Sequence, residues 1–396
     1  MRTPPSIDMN VTGSLNNGVM TLFLQGKIDS ANAQEAEKAI RQCLAKKTFD
    51  RLVLDCSELS YITSAGLRLV LALWKENPTL SAQNVIPDVY EIFDMTGFTK
   101  MMDVQRSLRT LSVDGLPLVG EGFTANVYRL DAETIVKVFK KHRSLESVRA
   151  EIDAAKKAFI YGIPTAISFD VVKVGDHLGL VFEMLHCATL RDLILAHPER
   201  FEEYKKMYAD LSYRITHTNA EGSGLQHCKG PLLEKLSVLS TVLSPEEYSK
   251  LMGMVEALPE TETLTHGDFH IKNILVQNNE PILIDMDAVA LGHPIFELEG
   301  IYLSFQAYNE ADPTNATRFF GVPQQILDEL FDALLKRYFP DKDEKGLAEV
   351  YDKIVLLGTA HLAYQTIHYQ RDENGRLDKA LTRLRNLLSR YDTLEL

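Results

Sequence analysis

His266-Gly267-Asp268-Phe269-His270-Ile271-Lys272-Asn273, followed by Ile274-Leu275-Val276, Asn278-Asn279-Glu280-Pro281, Ile282-Leu283-Ile284 and Asp285-Met286-Asp287, is the stretch that decides how this chain folds. The two short runs of β-formers predict strands, and the Asn-Asn-Glu-Pro segment between them predicts a turn. Such a hairpin brings Asn273, at the foot of its first strand, beside Asp285, at the foot of its second. Amide and carboxylate oxygens suit Mg²⁺, which binds through one or two such groups while phosphates and waters fill its remaining positions. Asp268, five positions before Asn273, is the carboxylate to orient and deprotonate an acceptor hydroxyl. A His-Gly-Asp tripeptide alone predicts only a turn, because Asp and Asn commonly bond their own backbone.

Upstream features extend the pattern. Val119-Gly120-Glu121-Gly122-Phe123-Thr124-Ala125-Asn126-Val127-Tyr128 fits a loop covering phosphates, in which Gly120 and Gly122 let backbone approach phosphate oxygens without a Cβ between. Lys137 lies within the strand-like Thr134-Ile135-Val136-Lys137-Val138-Phe139. Glu151 follows in a helix-forming run and is the first candidate to pair with Lys137, with Glu146 the second. Leu180-Val181-Phe182-Glu183-Met184-Leu185 is an apolar strand running into a polar turn.

Residues from about 117 to 390 resemble small-molecule kinases of the aminoglycoside phosphotransferase and choline-kinase type. The resemblance implies a bilobal α+β protein-kinase-like fold and transfer of the ATP γ-phosphate to a hydroxyl of a small acceptor. It implies Asp268 as catalytic base and Asn273 and Asp285 as Mg²⁺ ligands, with Asp287 behind them. Lys137, supported by Glu151, holds phosphates under Gly120 and Gly122. The backbone at Glu183 and Leu185 holds adenine. His266 braces the loop by hydrogen bonding. Gly267 stands where protein kinases carry an arginine, Asp285-Met286-Asp287 replaces Asp-Phe-Gly, and no Ala-Pro-Glu follows His293-Pro294. Ala125, where a third glycine is often found, is a departure from the pattern.

The first part of the chain reads as a separate α/β domain. Val19 to Gly26 alternates like a strand, Asp29 to Ala33 opens a helix, Arg51 to Asp55 reads as a buried strand, and Ser57 to Leu67 leads into a helix through Lys75. These residues, with Phe93-Asp94-Met95-Thr96-Gly97-Phe98, resemble the STAS domain of bacterial anti-sigma-factor antagonists. The likeness implies a regulatory protein partner and a candidate phosphosite at Ser64, where free N–H groups and the helix dipole stabilise phosphate. Thr63 stands in place of the family's usual aspartate, and a serine there also suits a helix cap.

The expected layout is a STAS domain over 1–105, a linker over 106–117 marked by Asp114-Gly115 and Pro117, a kinase-like N-lobe and hinge over 118–187, and a C-lobe over 188–396 with helices forming the acceptor site. Tyr302, Phe305 and Tyr308 either line that site or pack in the core. A chain of 396 residues, 45% hydrophobic and 24% charged, suits two or three globular domains. Four scattered cysteines, with no Cys-x-x-Cys, suggest neither zinc nor a disulfide framework and point to a cytoplasmic setting. Met1 to Pro5 lacks the apolar run of a signal peptide, and no window is apolar enough to span a membrane. Residues 1–110 hold twelve Lys+Arg and twelve Asp+Glu, so the net charge of −13 lies in the remainder. That field disfavours nucleic acid and slightly favours a cationic or amine-bearing acceptor. A signalling adaptor that binds nucleotide without chemistry, and a kinase acting on a STAS serine, are the alternative readings.

Overall fold

The structure is a computed structural model that describes residues 9–122, 124–185 and 187–396. Met1 to Pro5 and Phe123 lie outside the described residues. Two compact units separate, one of residues 9–112 with Val171–Gly175, the other of Val113–Asp170 with Asp176–Leu396.

In the first unit, β1 (Asn10–Asn16) and β2 (Val19–Ile28) form an antiparallel hairpin. Asn17 and Gly18 join them, both at positive φ, as a two-residue turn of right twist requires. There follow α1 (Ala33–Leu44), β3 (Arg51–Ile62), α2 (Ser64–Glu76), β4 (Ser81–Val85), α3 (Pro87–Met95), α4 (Phe98–Met101) and β5 (Val104–Arg106). The sheet order is β1-β2-β3-β4-β5, parallel from β2 onward. Alternation along β2 turns Met20, Leu22, Leu24 and Ile28 into a core with Leu54, Val70 and Phe93. Helix α2 sits so close to the strand ends that a Cβ on Gly66 would stand 2.6 Å from Ile62 Cγ1 and 2.8 Å from Ile28 Cγ2. The stretch read as a linker carries structure of its own, because Arg109–Leu111 forms β6.

In the second unit, β7 (Leu118–Glu121), β8 (Ala125–Arg129) and β9 (Thr134–Phe139) lead to α5 (Leu145–Ile160), capped by the Ser144 hydroxyl. Then come β10 (Asp170–Val174), most of which falls with the first unit and pairs there in parallel with β6, and β11 (His177–Glu183). Strands β7, β8, β9 and β11 are mutually antiparallel. Their register sets Gly120, Val127, Lys137 and Leu180 in one row across the sheet.

The helical lobe follows with β12 (Ala188–Thr189), α6 (Leu190–Ala196), α7 (Phe201–Thr216), α8 (Lys229–Leu236), α9 (Pro245–Glu256) and β13 (Leu264–Thr265). It closes with β14 (Ile274–Gln277), β15 (Glu280–Leu283), β16 (Ala290–Leu291), α10 (Pro294–Tyr302), α11 (Tyr308–Ala311), α12 (Gln324–Tyr338), α13 (Glu344–His368) and α14 (Arg376–Arg390). Its core includes Tyr204, Tyr208, Phe305, Phe320 and Phe331. Tyr302 and Phe305 are buried there, so packing is what occupies these two. The β14–β15 turn is tighter than the sequence suggested. Asn278 and Asn279 alone make it, at φ 52° and 63°, and Glu280-Pro281 already belongs to the strand. Asn tolerates the left-handed region, and Pro281 is acceptable on an edge strand, where no ladder N–H is missed.

Candidate active site

Between β13 and β14 the chain carries Asp268 on an exposed loop whose underside is anchored. Phe269 is buried against Tyr208, ring centroids 4.8 Å apart, and the Tyr208 hydroxyl donates to its carbonyl. Burying a Phe contributes roughly 1.5–3 kcal/mol, enough to hold the loop down. At Gly267 φ is +79°, and a Cβ there would stand 2.7 Å from the Ala288 carbonyl oxygen. Glycine at this position is therefore a steric requirement of the loop as well as a departure from protein kinases.

His266 ties this loop to the hairpin. The Asp268 N–H donates to its Nδ1 at 3.2 Å, and its Nε2 lies 3.1 Å from the Ile284 carbonyl. An accepting Nδ1 and a donating Nε2 define a neutral ring, and burial pushes its pKa down in the same sense. The bracing role expected for His266 is thus a bridge from the backbone of Asp268 to the residue before Asp285.

Asn273 is buried, and its amide donates to the Asp268 carbonyl (3.0 Å) and carboxylate (3.1 Å). Its own carbonyl accepts from the Ile284 N–H at 3.0 Å, so Asn273 and Asp285 flank one end of the hairpin. Asp285 has φ 64° and ψ 61°, an uncommon setting for a non-glycine residue and one that clusters at functional sites. Lys137 bridges the lobes, its ammonium 2.9 Å from Glu151 and 2.7 Å from Asp285. Burial alone would lower the Lys137 pKa, but the two carboxylates outweigh it and the net displacement is upward. For Asp285, burial opposes ionisation, and Lys137 more than offsets it, leaving the pKa below the usual carboxylate range. Glu151, not Glu146, is the helix carboxylate that Lys137 meets.

Arg143 was not singled out in the sequence. Its guanidinium lies 2.6 Å from Glu151, 3.9 Å from Asp287 and over the Phe139 ring. Asp287 is pushed up to about 6, first by burial and then by Asp285 and Glu151. Behind the loop, Glu297 on α10 is buried and accepts from the N–H groups of His266 (2.8 Å) and Gly267 (3.0 Å). Burial lifts its pKa to about 7 despite those bonds. The signal for Glu297 was available: two glutamates in an otherwise apolar helix, Pro294-Ile295-Phe296-Glu297-Leu298-Glu299, need partners when buried. The ring of His270 is buried against Phe319 and Phe320, its Nε2 3.6 Å from Asp268, and burial favours the neutral form.

Direct bonds join Lys137 to Glu151 and Asp285, and Asp268 to His266 and Asn273; the backbone of Ile284, bonded by both His266 and Asn273, links the two sets. Gly120 and Gly122 sit at the β7–β8 turn with φ values open to any residue, and the Gly122 N–H donates to the Ala125 carbonyl. Glu183 ends β11, the Met184 N–H donates to the Glu133 carbonyl, and Leu185 is half-buried. None of these four is hydrogen-bonded to Asp268, Asn273 or Asp285; Gly120 and Glu183 lie in the sheet that carries Lys137, with Gly122 and Leu185 just beyond its strands. Ser64, in the first unit, is the exposed first residue of α2, and Thr63 holds the cap position the sequence had offered to Ser64.

A family model described as the phosphotransferase enzyme family matches residues 115–344. The chain belongs to that family. A STAS-domain model matches residues 10–111, and the putative anti-sigma factor antagonist BtrV of Bordetella bronchiseptica is 35% identical over 103 residues, covering 25% of this chain and 88% of that protein. The anti-sigma F factor antagonist of Paenibacillus polymyxa is 23% identical over 93 residues, 22% of this chain and 80% of that protein. The N-terminal part of this phosphotransferase is a STAS domain. Among solved structures, the GDP and kanamycin complex of an aminoglycoside 2″-phosphotransferase is 12% identical, covering 76% of this chain and 98% of that one at a TM-score of 0.44. An anti-sigma factor antagonist from Mycobacterium paratuberculosis is 21% identical over 27% of this chain and 92% of its own, at a TM-score of 0.24.

Proposed function

We propose that the chain moves the γ-phosphoryl of ATP, with Mg²⁺, to a hydroxyl of a small molecule. The observation that carries this is the pair of bonds Lys137–Asp285 and Asn273–Asp268, linked through the Ile284 backbone, which gathers a buried cation, two oxygen donors and an exposed carboxylate. The donor set fits Mg²⁺. Asn273 spends its amide nitrogen on Asp268 and keeps its oxygen, and Asp285 has one oxygen on Lys137 and a second to offer. Bound there, the ion would neutralise charge on the β- and γ-phosphates.

Lys137 and Asp285 neutralise each other at 2.7 Å. Arriving phosphates would draw Lys137 to themselves and leave Asp285 for the metal. Asp268, held by Asn273, accepts the proton of the acceptor hydroxyl as its oxygen bonds to phosphorus and the bond to ADP breaks. Glu297 and His266 act by position, fixing the backbone from which Asp268 projects. The backbone at Gly120 and Gly122 would cover the phosphates, and that at Glu183 and Leu185 would hold adenine. The test is ADP release from MgATP over a set of hydroxyl acceptors and water. ADP formation that disappears in Asp268→Asn supports this reading; none with any acceptor supports the adaptor reading instead.

The STAS domain would regulate the enzyme or dock a protein partner. Exposure of Ser64 at the start of α2 favours one further reading, in which the kinase part modifies that serine. Intact mass after incubation with MgATP decides it: no gain, or an equal gain in Ser64→Ala, removes the site. No helix among the described residues is long and apolar enough to cross a membrane, and with the free cysteines this supports a cytoplasmic setting.

A further inference from the structure

A cavity of about 900 Å³ opens from Gly267 and Asp268 into the helical lobe. Two stretches of π-helix border it, Leu303–Ala307 and Ala316–Phe320, a geometry often found at functional sites. Its charges decide what kind of acceptor it fits. Asp268 and Asp287 belong to the phosphoryl end. Glu299 is the remaining carboxylate of the lining, and it is already engaged: the His361 Nδ1 donates to it at 3.1 and 3.3 Å. The His361 Nε2 accepts from the Gln365 amide, and the Gln365 carbonyl accepts from the Tyr308 hydroxyl. That chain runs in one direction from Tyr308 to Glu299 and satisfies itself.

The other charged groups of the lining are basic and come from four separate segments. They are Lys235 in the last turn of α8, Arg318, Arg371 just beyond α13, and Arg376 at the start of α14. Arg318 pairs with Asp312, and Arg376 lies over the Tyr308 ring. Lys235 and Arg371 make no ion pair with any side chain the structure describes. Over the whole lining four Lys and Arg stand against three Asp and Glu, and at physiological salt charges beyond roughly 8 Å are largely screened. A cationic acceptor would meet cations at this mouth and no uncommitted carboxylate beyond the phosphoryl end. An anion would complete it.

We propose that the acceptor carries an anionic group, carboxylate or phosphate, beside the hydroxyl it offers to Asp268, and that Lys235 and Arg371 receive that anion. This rests on the phosphotransfer reading above and reverses the charge preference drawn from overall composition. The test measures ADP release from MgATP with water alone, D-glycerate, glucose 6-phosphate, ethanolamine and kanamycin, in the full chain and in Lys235→Glu/Arg371→Glu. At least one anion should change the rate over the water blank while both amines do not; which anion acts separates carboxylate from phosphate. The double variant should raise that anion's half-saturating concentration at least tenfold and leave that of MgATP within twofold. The proposal falls if the amines act as strongly as the anions, if neither class acts while Asp268-dependent hydrolysis persists, or if the double variant responds to the anion as wild type does. Absence of any Asp268-dependent ADP formation defeats the phosphotransfer reading itself.

Discussion

The two ends of the site handle charge in opposite ways. At the phosphate end every cation already has an anion of the chain's own: Lys137 meets Glu151 and Asp285, and Arg143 meets Glu151 with Asp287 beyond. At the acceptor end the internal polar chain closes on Glu299 and leaves basic groups at the mouth. The lesson is about preorganisation. The phosphate end is neutralised from within, so on the proposed reading a nucleotide would exchange partners with it and a metal would take Asp285. The acceptor end holds basic groups in its lining, and on the proposed reading its ligand would supply the countercharge.

The largest effect that would break this comparison is at the junction of the two ends. Asp268→Asn should lower turnover by about 10²–10⁴-fold, read as ADP release, while a nucleotide titration stays within twofold of wild type. Near-normal turnover would remove Asp268 from the chemistry and leave the two ends unconnected.

Next comes Glu297, whose pKa of about 7 replaces an ordinary 4.5. Between those values the folded chain holds a proton that the unfolded chain has lost. Stability from this group is therefore complete below pH about 4.5 and falls as pH rises to about 7. Glu297→Gln keeps an acceptor for His266 and Gly267 and removes the titration. Unfolding free energy of wild type relative to this variant should decline by on the order of 3 kcal/mol across that window, measured by denaturant melts at several pH values. A flat difference would mean Glu297 is ionised throughout and the loop rests on a charge.

Gly267→Ala should destabilise by about 1–3 kcal/mol, since a residue forced to positive φ costs that much. The Ala288 carbonyl, 2.7 Å from the new Cβ, would also have to move. Thermal unfolding reads the first effect and acceptor affinity the second, because Gly267 and Ala288 both line the cavity. The smallest effect is expected far from the acceptor: Asn279→Ala should cost about 1 kcal/mol at the left-handed turn position. It should weaken nucleotide binding only as far as the β14–β15 hairpin loosens, which a nucleotide titration at rising temperature would show.

Much of this was legible locally. The strand-turn-strand run from Ile274 to Ile284 fixed where Asn273 and Asp285 would meet, because a hairpin's register follows from its own residues. Lys137 and Glu151 could be named because a strand lysine and a helix glutamate reveal themselves by their surroundings. The alternation of β2 and the short strands around it marked a separate α/β domain, and its resemblance to STAS domains supplied the family. The turn at Asn278-Asn279 was overdrawn by two residues, since Pro281 reads as a breaker and only an edge position accommodates it. The linker was overdrawn too, because Arg109–Leu111 finds a strand partner some sixty residues later at Val172–Val174.

The sequence by itself named the residues proposed for phosphoryl transfer and showed the two-domain order, since both are read from motifs on neighbouring elements. Tertiary structure alone decided what surrounds them. Arg143 reaches Glu151 by folding back from a loop. Glu297 supports Asp268 from thirty positions away. Lys235, Arg318, Arg371 and Arg376 share one cavity only because helices far apart in the chain end at the same place. Charge summed along a chain says nothing of where charges gather, and substrate choice depends on where they gather.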